Sequence, residues 1–354
     1  MKTNKTTFKT IIATILICNM VSCISVNYMV TTKFDRDGSC FREIYAKGDS
    51  AFLSGNLSHN PYMFNLDSDW HITTLDIAEK QQKYNVKISK TVGAVEEFST
   101  GLQFDKDIRP LAAPTETFQK SFKWFYTYYT FKTVYPCISE KIPVAIDEYM
   151  TENEQKLWFQ GDFSAYLGMT GLELKDKMDN IENQFMSWYY RNVYEVYFNV
   201  VYNFEKLSEN SPYLTLLPAA KDTVFRILEP EMDLFDDIEH INHTLDIYFK
   251  TTHFSDSYKV NEQQFDRMCE KYLLEDLFSK EIEYQLIVPG KLINANTFSV
   301  YRDTLTWKIT ALRLIPGDCE LTATSRTVNI WAFAVVFFLI VLSGYCFLKL
   351  RTKS

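Results

Sequence analysis

The chain of 354 residues carries 37 Lys and Arg against 45 Asp and Glu, a formal net charge of −8. That balance argues against a nucleic-acid partner, which needs concentrated cations for its phosphates. Glycine is scarce, at 11 residues, and no P-loop, G-x-G-x-x-G or G-x-S-x-G run occurs, so the usual scaffolds for cradling phosphate or presenting a nucleophile are missing and no cofactor is expected.

Lys2, Lys5 and Lys9 precede the apolar run Ile11 to Ile17, the pattern of an export signal over residues 1–22. Its end, Asn19-Met20-Val21-Ser22-Cys23, resembles the junction of a bacterial lipoprotein. That resemblance implies that Cys23 is lipidated and becomes the first mature residue; the alternative is an uncleaved N-terminal anchor. Residues 23–327 then form an extracytoplasmic domain. Setting aside the three signal lysines and the three basic residues after the C-terminal apolar stretch leaves 31 basic against 45 acidic side chains, a net of −14. Such a surface serves solubility and would not adhere to anionic headgroups by charge alone. Cys40, Cys137, Cys269 and Cys319 fall in this domain without a CxxC spacing. Two disulfides and four buried thiols are equally open readings, because an oxidising compartment permits bridges that a domain of this size does not require.

The domain begins with alternation. Ile24, Val26, Tyr28, Val30 and Phe34 point one way and Ser25, Asn27, Thr31 and Lys33 the other, and a turn at Asp35-Arg36-Asp37-Gly38 leads to a returning strand, Cys40 to Lys47. A loop over 48–68, short strands at Trp70 to Thr74 and Tyr84 to Ile88, and a short helix near Val95 to Leu102 follow. Phe122 to Tyr135, FKWFYTYYTFKTVY, is the most β-prone stretch and is expected as one central strand ended by Pro136. Its rings at Phe122, Trp124, Tyr126 and Tyr128 are the candidate face for an apolar ligand, although rings in strands more often fill a core.

From Pro143 to Lys280 the period becomes helical. Thr151 with Glu154 and Thr170 with Glu173 have capping-box spacing. The second opens a helix of about 35 residues whose stripe, Leu174 through Phe204, would cover a sheet. Further helices are expected near Asp222 to Glu229, Met232 to Phe249 and Gln263 to Phe278, the last two separated by the polar run Thr251 to Asn261. Strands return at Ile282 to Val288, Leu305 to Ile309 and Leu321 to Ser325. The fold class is α+β: an antiparallel sheet built from both ends of the domain, with a helical insertion at about 143–280.

Thr327 to Leu348 is 22 residues without a charge, enough to cross a hydrocarbon core of about 30 Å. A spanning helix is placed at 328–348. Trp331 and Tyr345 suit the headgroup levels, and Lys349, Arg351 and Lys353 put the tail 349–354 in the cytoplasm, with the domain on the periplasmic side of a single-pass cell-membrane protein.

The Cys23 junction, the Asp37-Gly38-Ser39 turn, the segment YQLIVPGKLINAN from Tyr284 to Asn296, the TLTW strand at Thr304 to Trp307, and the small-residue strand ending at Ser325 before a single helix together resemble the LppM-type bacterial lipoprotein domain. The resemblance covers about 100 residues at the two ends. It implies an envelope domain with a curved sheet that binds a lipid or other apolar molecule rather than a known reaction. The segment from about Thr115 to Lys280 departs from that pattern.

Glu239-His240-Ile241-Asn242-His243 sets two imidazoles at i and i+3 with Asp236, Asp237 and Asp246 nearby, a spacing that admits a metal but more often marks a solvated helix face. The expected function is a membrane-anchored, non-enzymatic envelope lipoprotein that binds a protein partner or an apolar ligand. The alternative is an extracytoplasmic hydrolase, metal-dependent through His240 and His243.

Overall fold

The computed structural model describes residues 25–62, 64, 66–75, 84–100, 114–208, 211–229, 238–270, 280–297 and 299–351. The export signal, Cys23, Asp236, Asp237 and the expected helical residues 271–278 lie outside the described residues. The chain divides into two compact units, one of Met1–Pro136, Lys280–Thr310 and Asp318–Ser354 and one of Cys137–Ser279 and Ala311–Gly317.

The first unit holds eleven described strands: β1 (Ser25–Phe34), β2 (Cys40–Ala46), β3 (His71–Thr74), β4 (Val86–Val92), β5 (Thr115–Lys123), β6 (Tyr126–Tyr135), β7 (Lys280–Ile287), β8 (Lys291–Ala295), β9 (Ser299–Tyr301), β10 (Thr304–Thr310) and β11 (Cys319–Val328). They form two sheets rather than the single one expected. The larger has the order β3-β4-β2-β1-β7-β10-β9 and the smaller β5-β6-β11-β8. Each mixes strands from both ends of the chain. The β1–β7 pair is parallel and every other pair antiparallel, so the larger sheet is mixed. A parallel neighbour is allowed there because more than 240 residues separate the two strands, ample for a crossover.

The β1–β2 hairpin forms as the alternation dictates. Asp35 N–H donates to Ser39 O at 2.9 Å and Gly38 N–H to Asp35 O at 3.2 Å. Gly38 sits at φ 108°, a conformation a Cβ would oppose. Phe122 to Tyr135 is not one strand, however. A two-residue loop, Trp124-Phe125, folds it back between the paired Lys123 and Tyr126. Trp124 takes φ 42°, where a tryptophan costs about 1–2 kcal/mol. Such loops normally advertise themselves with Asn-Gly or Gly; this one carries two aromatic rings.

The inner faces of the two sheets share a core. Phe34 of β1 stacks on Phe118 of β5 with centroids 4.0 Å apart, and Phe131 of β6 stacks on Tyr284 of β7 at 6.0 Å. Along β6 the odd residues Thr127, Tyr129, Phe131, Thr133 and Tyr135 are buried, which leaves the even ones on the outer face.

The second unit is helical: α1 (Gly171–Leu207), α2 (Leu217–Leu228), α3 (Ile238–Phe249) and α4 (His253–Glu270). Both capping boxes are present. The stripe of α1 has partners inside its own unit. Phe185 and Trp188 pack on Trp158 and Phe159, and Tyr194, Phe198, Val201 and Phe204 pack with Leu217, Val224, Ile241, Leu245, Phe254 and Phe265. Helix α4 starts ten residues before the expected Gln263, within the run Thr251 to Asn261, and Asn261 at φ −121° interrupts it. Its start is set from outside the local pattern: the Asp246 carboxylate of α3 accepts the N–H groups of Phe254 and Ser255, both at 2.9 Å, which caps the helix.

The last element, α5 (Ile330–Arg351), belongs to the first unit. Its stretch Ile330–Lys349 is long and apolar enough to cross a membrane, and almost all its side chains are exposed.

Candidate interface at the hairpin tip

The positions singled out from the sequence fare differently. Cys23 lies outside the described residues. His240 and His243 are both exposed on α3. Asp246, the described one of the three neighbouring aspartates, is turned inward to cap α4. Among the described residues no group of three or more His, Cys, Asp or Glu is placed to hold a metal. Another histidine, His253, bonds through Nε2 to the buried Glu205 at 2.9 Å, and Ser211 Oγ donates to the same carboxylate. The acid stands between hydroxyl and imidazole, so the histidine does not contact the hydroxyl it would have to deprotonate in a nucleophilic triad. Among the described residues no disulfide joins Cys40, Cys137, Cys269 and Cys319. Burial pushes the Cys40 and Cys269 thiols up to about 12, which makes them poor nucleophiles.

The most deeply buried ion pair among the described residues is closed. Arg42 of β2 donates bidentately to Glu116 of β5, at 2.8 Å twice, and through Nε to Thr32 of β1 at 2.9 Å. Tyr284 Oη, 3.0 Å from Glu116 and from Thr32, and Thr133 Oγ1 complete the knot. The two charged side chains are 6% and 0% exposed, so this is a structural pair between the sheets, with no face for a substrate. Burial alone would lower the Arg42 guanidinium, but the Glu116 carboxylate outweighs it and keeps the arginine charged.

The aromatic residues of the β5–β6 tip are different. Phe122 is 54% and Trp124 46% exposed, and both meet Trp331 in the first turn of α5: Phe122 stacks on it at 6.0 Å and Trp124 meets it edge-on at 5.6 Å. On the other side Phe125 and Tyr126 contact Phe333 at 4.6 and 6.4 Å. Phe122 pairs with Thr127, of inner-face parity, whereas Tyr126 and Tyr128 have outer-face parity. Of the four rings expected on one face, Phe122 and Trp124 therefore meet α5 from one side and Tyr126 from the other, while Tyr128 contacts Tyr126. Asn329 fastens the junction. Its N–H donates to Phe125 O at 2.9 Å, its Nδ2 to Trp124 O at 2.8 Å, and its Oδ1 accepts from Thr127 Oγ1 at 3.0 Å.

Charge at this end opposes the domain's acidic balance. Register places Lys123, Tyr126 and Val328 in one cross-strand row and Ser121, Tyr128, Arg326 and Lys291 in the next, all of the outer parity. The Arg326 guanidinium lies 4.5 Å from the centre of the Tyr126 ring, within cation–π range. Lys120, of the opposite parity, turns away and donates to Arg36 O at 2.8 Å. No Asp or Glu occurs in 119–130, 289–296 or 321–331, so the net acidic balance of the domain does not extend to these three stretches. Phe125, Lys123, Lys291 and Arg326 join these rings without being candidates on the local sequence pattern. The signal was available in the absence of acids from three stretches that the register brings together.

Comparison with protein-family models, with curated proteins and with solved structures gives no match.

Proposed function

We propose that the chain is a single-pass membrane protein whose strand-rich unit works on the extracytoplasmic side as a non-enzymatic binding module, acting through its surface on a protein partner or an apolar, lipid-like ligand. The observation that carries this reading is the junction: β11 ends at Val328 and α5 begins at Ile330, with Asn329 tied to the hairpin tip. A stretch able to cross a bilayer is thus joined without a linker to the sheet beside it. Trp331 at its start and Lys349 and Arg351 at its end support the orientation with the tail in the cytoplasm. The resemblance of the end strands to LppM-type domains supports the apolar ligand. The filling of the space between the sheets by Phe34, Phe118, Phe131, Tyr284 and the Arg42–Glu116 pair favours recognition on the surface.

The test is topology together with anchoring. A reporter fused after Ser354 is expected to report cytoplasm, one inserted near Asn56 to report the outside, and the protein to resist alkaline extraction. An outside signal from the C-terminal fusion, or release at alkaline pH, overturns the reading. Acyl labelling lost in Cys23→Ala would establish the lipid anchor, and labelling unchanged would remove it.

A further inference from the structure

We propose that the outer face of the four-stranded sheet next to α5 binds the phosphates of anionic phospholipids in the membrane that α5 crosses, with the tip rings seated among the headgroups. This rests on the membrane reading above and adds to it a surface and a ligand class. Three independent features of the junction agree on it.

The first is position. At about 3.3 Å per strand residue, the row through Val328 lies roughly 7 Å before Ile330 and the row through Arg326 roughly 13 Å. The headgroup layer is about 5–8 Å deep on each side, and Lys and Arg stems reach several ångströms back toward it. The cations of Lys123, Lys291 and Arg326 can therefore meet phosphates while their backbones stay outside. The second is chemistry. These three cations and the hydroxyls of Tyr126 and Tyr128 supply donors, and no carboxylate from the same stretches competes for them. None of the three cations makes an ion pair among the described residues, whereas Lys132, farther along the same outer face, pairs with Glu320 at 2.7 Å. The third is strain. Trp124 holds a left-handed conformation that glycine would adopt freely, yet keeps a large ring that is half exposed. An amphipathic ring at the edge of a bilayer gains from the interface what it loses in backbone freedom.

The experiment uses the full chain reconstituted into nanodiscs containing equal amounts of phosphatidylglycerol and phosphatidylcholine, with retained lipid counted by native mass spectrometry. The wild type is expected to retain phosphatidylglycerol preferentially, and the preference to fall as salt is raised. Each cation near the surface contributes roughly a fivefold preference. The triple variant Lys123→Gln/Lys291→Gln/Arg326→Gln should therefore lose most of the preference, while a Lys349→Gln/Arg351→Gln variant reports the separate share of the opposite leaflet. Equal retention of the two lipids by the wild type, or a preference that the triple variant keeps in full, overturns the proposal. If the protein fails to insert at all, the membrane reading itself falls; if it inserts and shows no preference, only the headgroup surface does. Should the triple variant misfold, the salt dependence of the wild type carrying the two tail substitutions still decides.

Discussion

The two ends of the four-stranded sheet use the same residue types in opposite ways. Away from α5, rings are buried and charges are paired: Tyr135 is buried, Glu116 is enclosed and bonded to Arg42, and on the outer face Lys132 answers Glu320. Beside α5, Phe122 and Trp124 are about half exposed, and Lys123, Lys291 and Arg326 have no carboxylate partner among the described residues. Charge at the first end contributes to the fold by being matched, whereas at the second it is left unmatched among the described residues. A polar group without an internal partner costs little where water or a headgroup can supply one, and several kcal/mol where neither can reach.

The sharpest way to break this comparison is Glu116→Ala, which leaves the Arg42 guanidinium enclosed without its counter-charge and is expected to cost about 3–5 kcal/mol. Urea unfolding of the detergent-solubilised chain measures it. Replacing both partners, Arg42→Met with Glu116→Leu, should recover most of the loss, and a single-variant cost below about 1 kcal/mol would mean that water reaches the pair. Next is Gly290→Ala in the turn between β7 and β8. A Cβ there would stand 2.3 Å from Arg326 O, at φ 80°, so about 1–3 kcal/mol should be lost. The variant should also disturb Arg326, and a normal melting temperature would contradict the close approach of the turn to β11.

A matched charge outside the sheet sets a scale. Burial alone would raise the Glu154 carboxyl, but the Lys177 ammonium and the Thr151 N–H and hydroxyl outweigh it and hold it below its ordinary value of 4.5. The carboxylate therefore adds stability that is complete above about pH 4.5 and disappears as pH falls through the lowered folded value. Thermal melts should show the wild type losing its advantage over Glu154→Gln between neutral and acid pH; a gap that stays constant would deny the pairing. The smallest effect is expected at Trp124→Gly, within about 1 kcal/mol of wild type or slightly stabilising, because relief of the left-handed backbone offsets the lost ring contacts. A large loss of stability would make the tip part of the core and remove its contrast with the buried end.

Where the local pattern and the tertiary environment agreed, the fold was legible in the chain. The alternation through Phe34, the DGS turn at Asp37 to Ser39 and the Thr170–Glu173 capping box each satisfy their own backbone groups within a few residues, so β1, β2 and the start of α1 could be read directly. The misses all depend on distant partners. The loop at Trp124 is held by Asn329, about 200 residues later, and α4 is started by Asp246 from the preceding helix. The polar knot joins Thr32, Arg42, Glu116 and Tyr284 across four strands. For the candidate interface the rings were visible and their arrangement was not. A stretch rich in rings reads as a strand whether or not it turns, and the cations of three separate segments gather only once the register is known.

A joint with no slack has a mechanical consequence. Membrane helices adjust their tilt when the thickness of the surrounding bilayer changes. Asn329 leaves no swivel between α5 and β11, so a change in tilt is passed on to the sheet as a rotation. A ten-residue strand such as β11 is about 33 Å long, and leaning it by about 10° would sweep its far end sideways by roughly 6 Å. If α5 crosses a bilayer as proposed, whatever that end touches would feel the lipid composition around the helix as a displacement, with the strand acting as a pointer and the bilayer setting its angle.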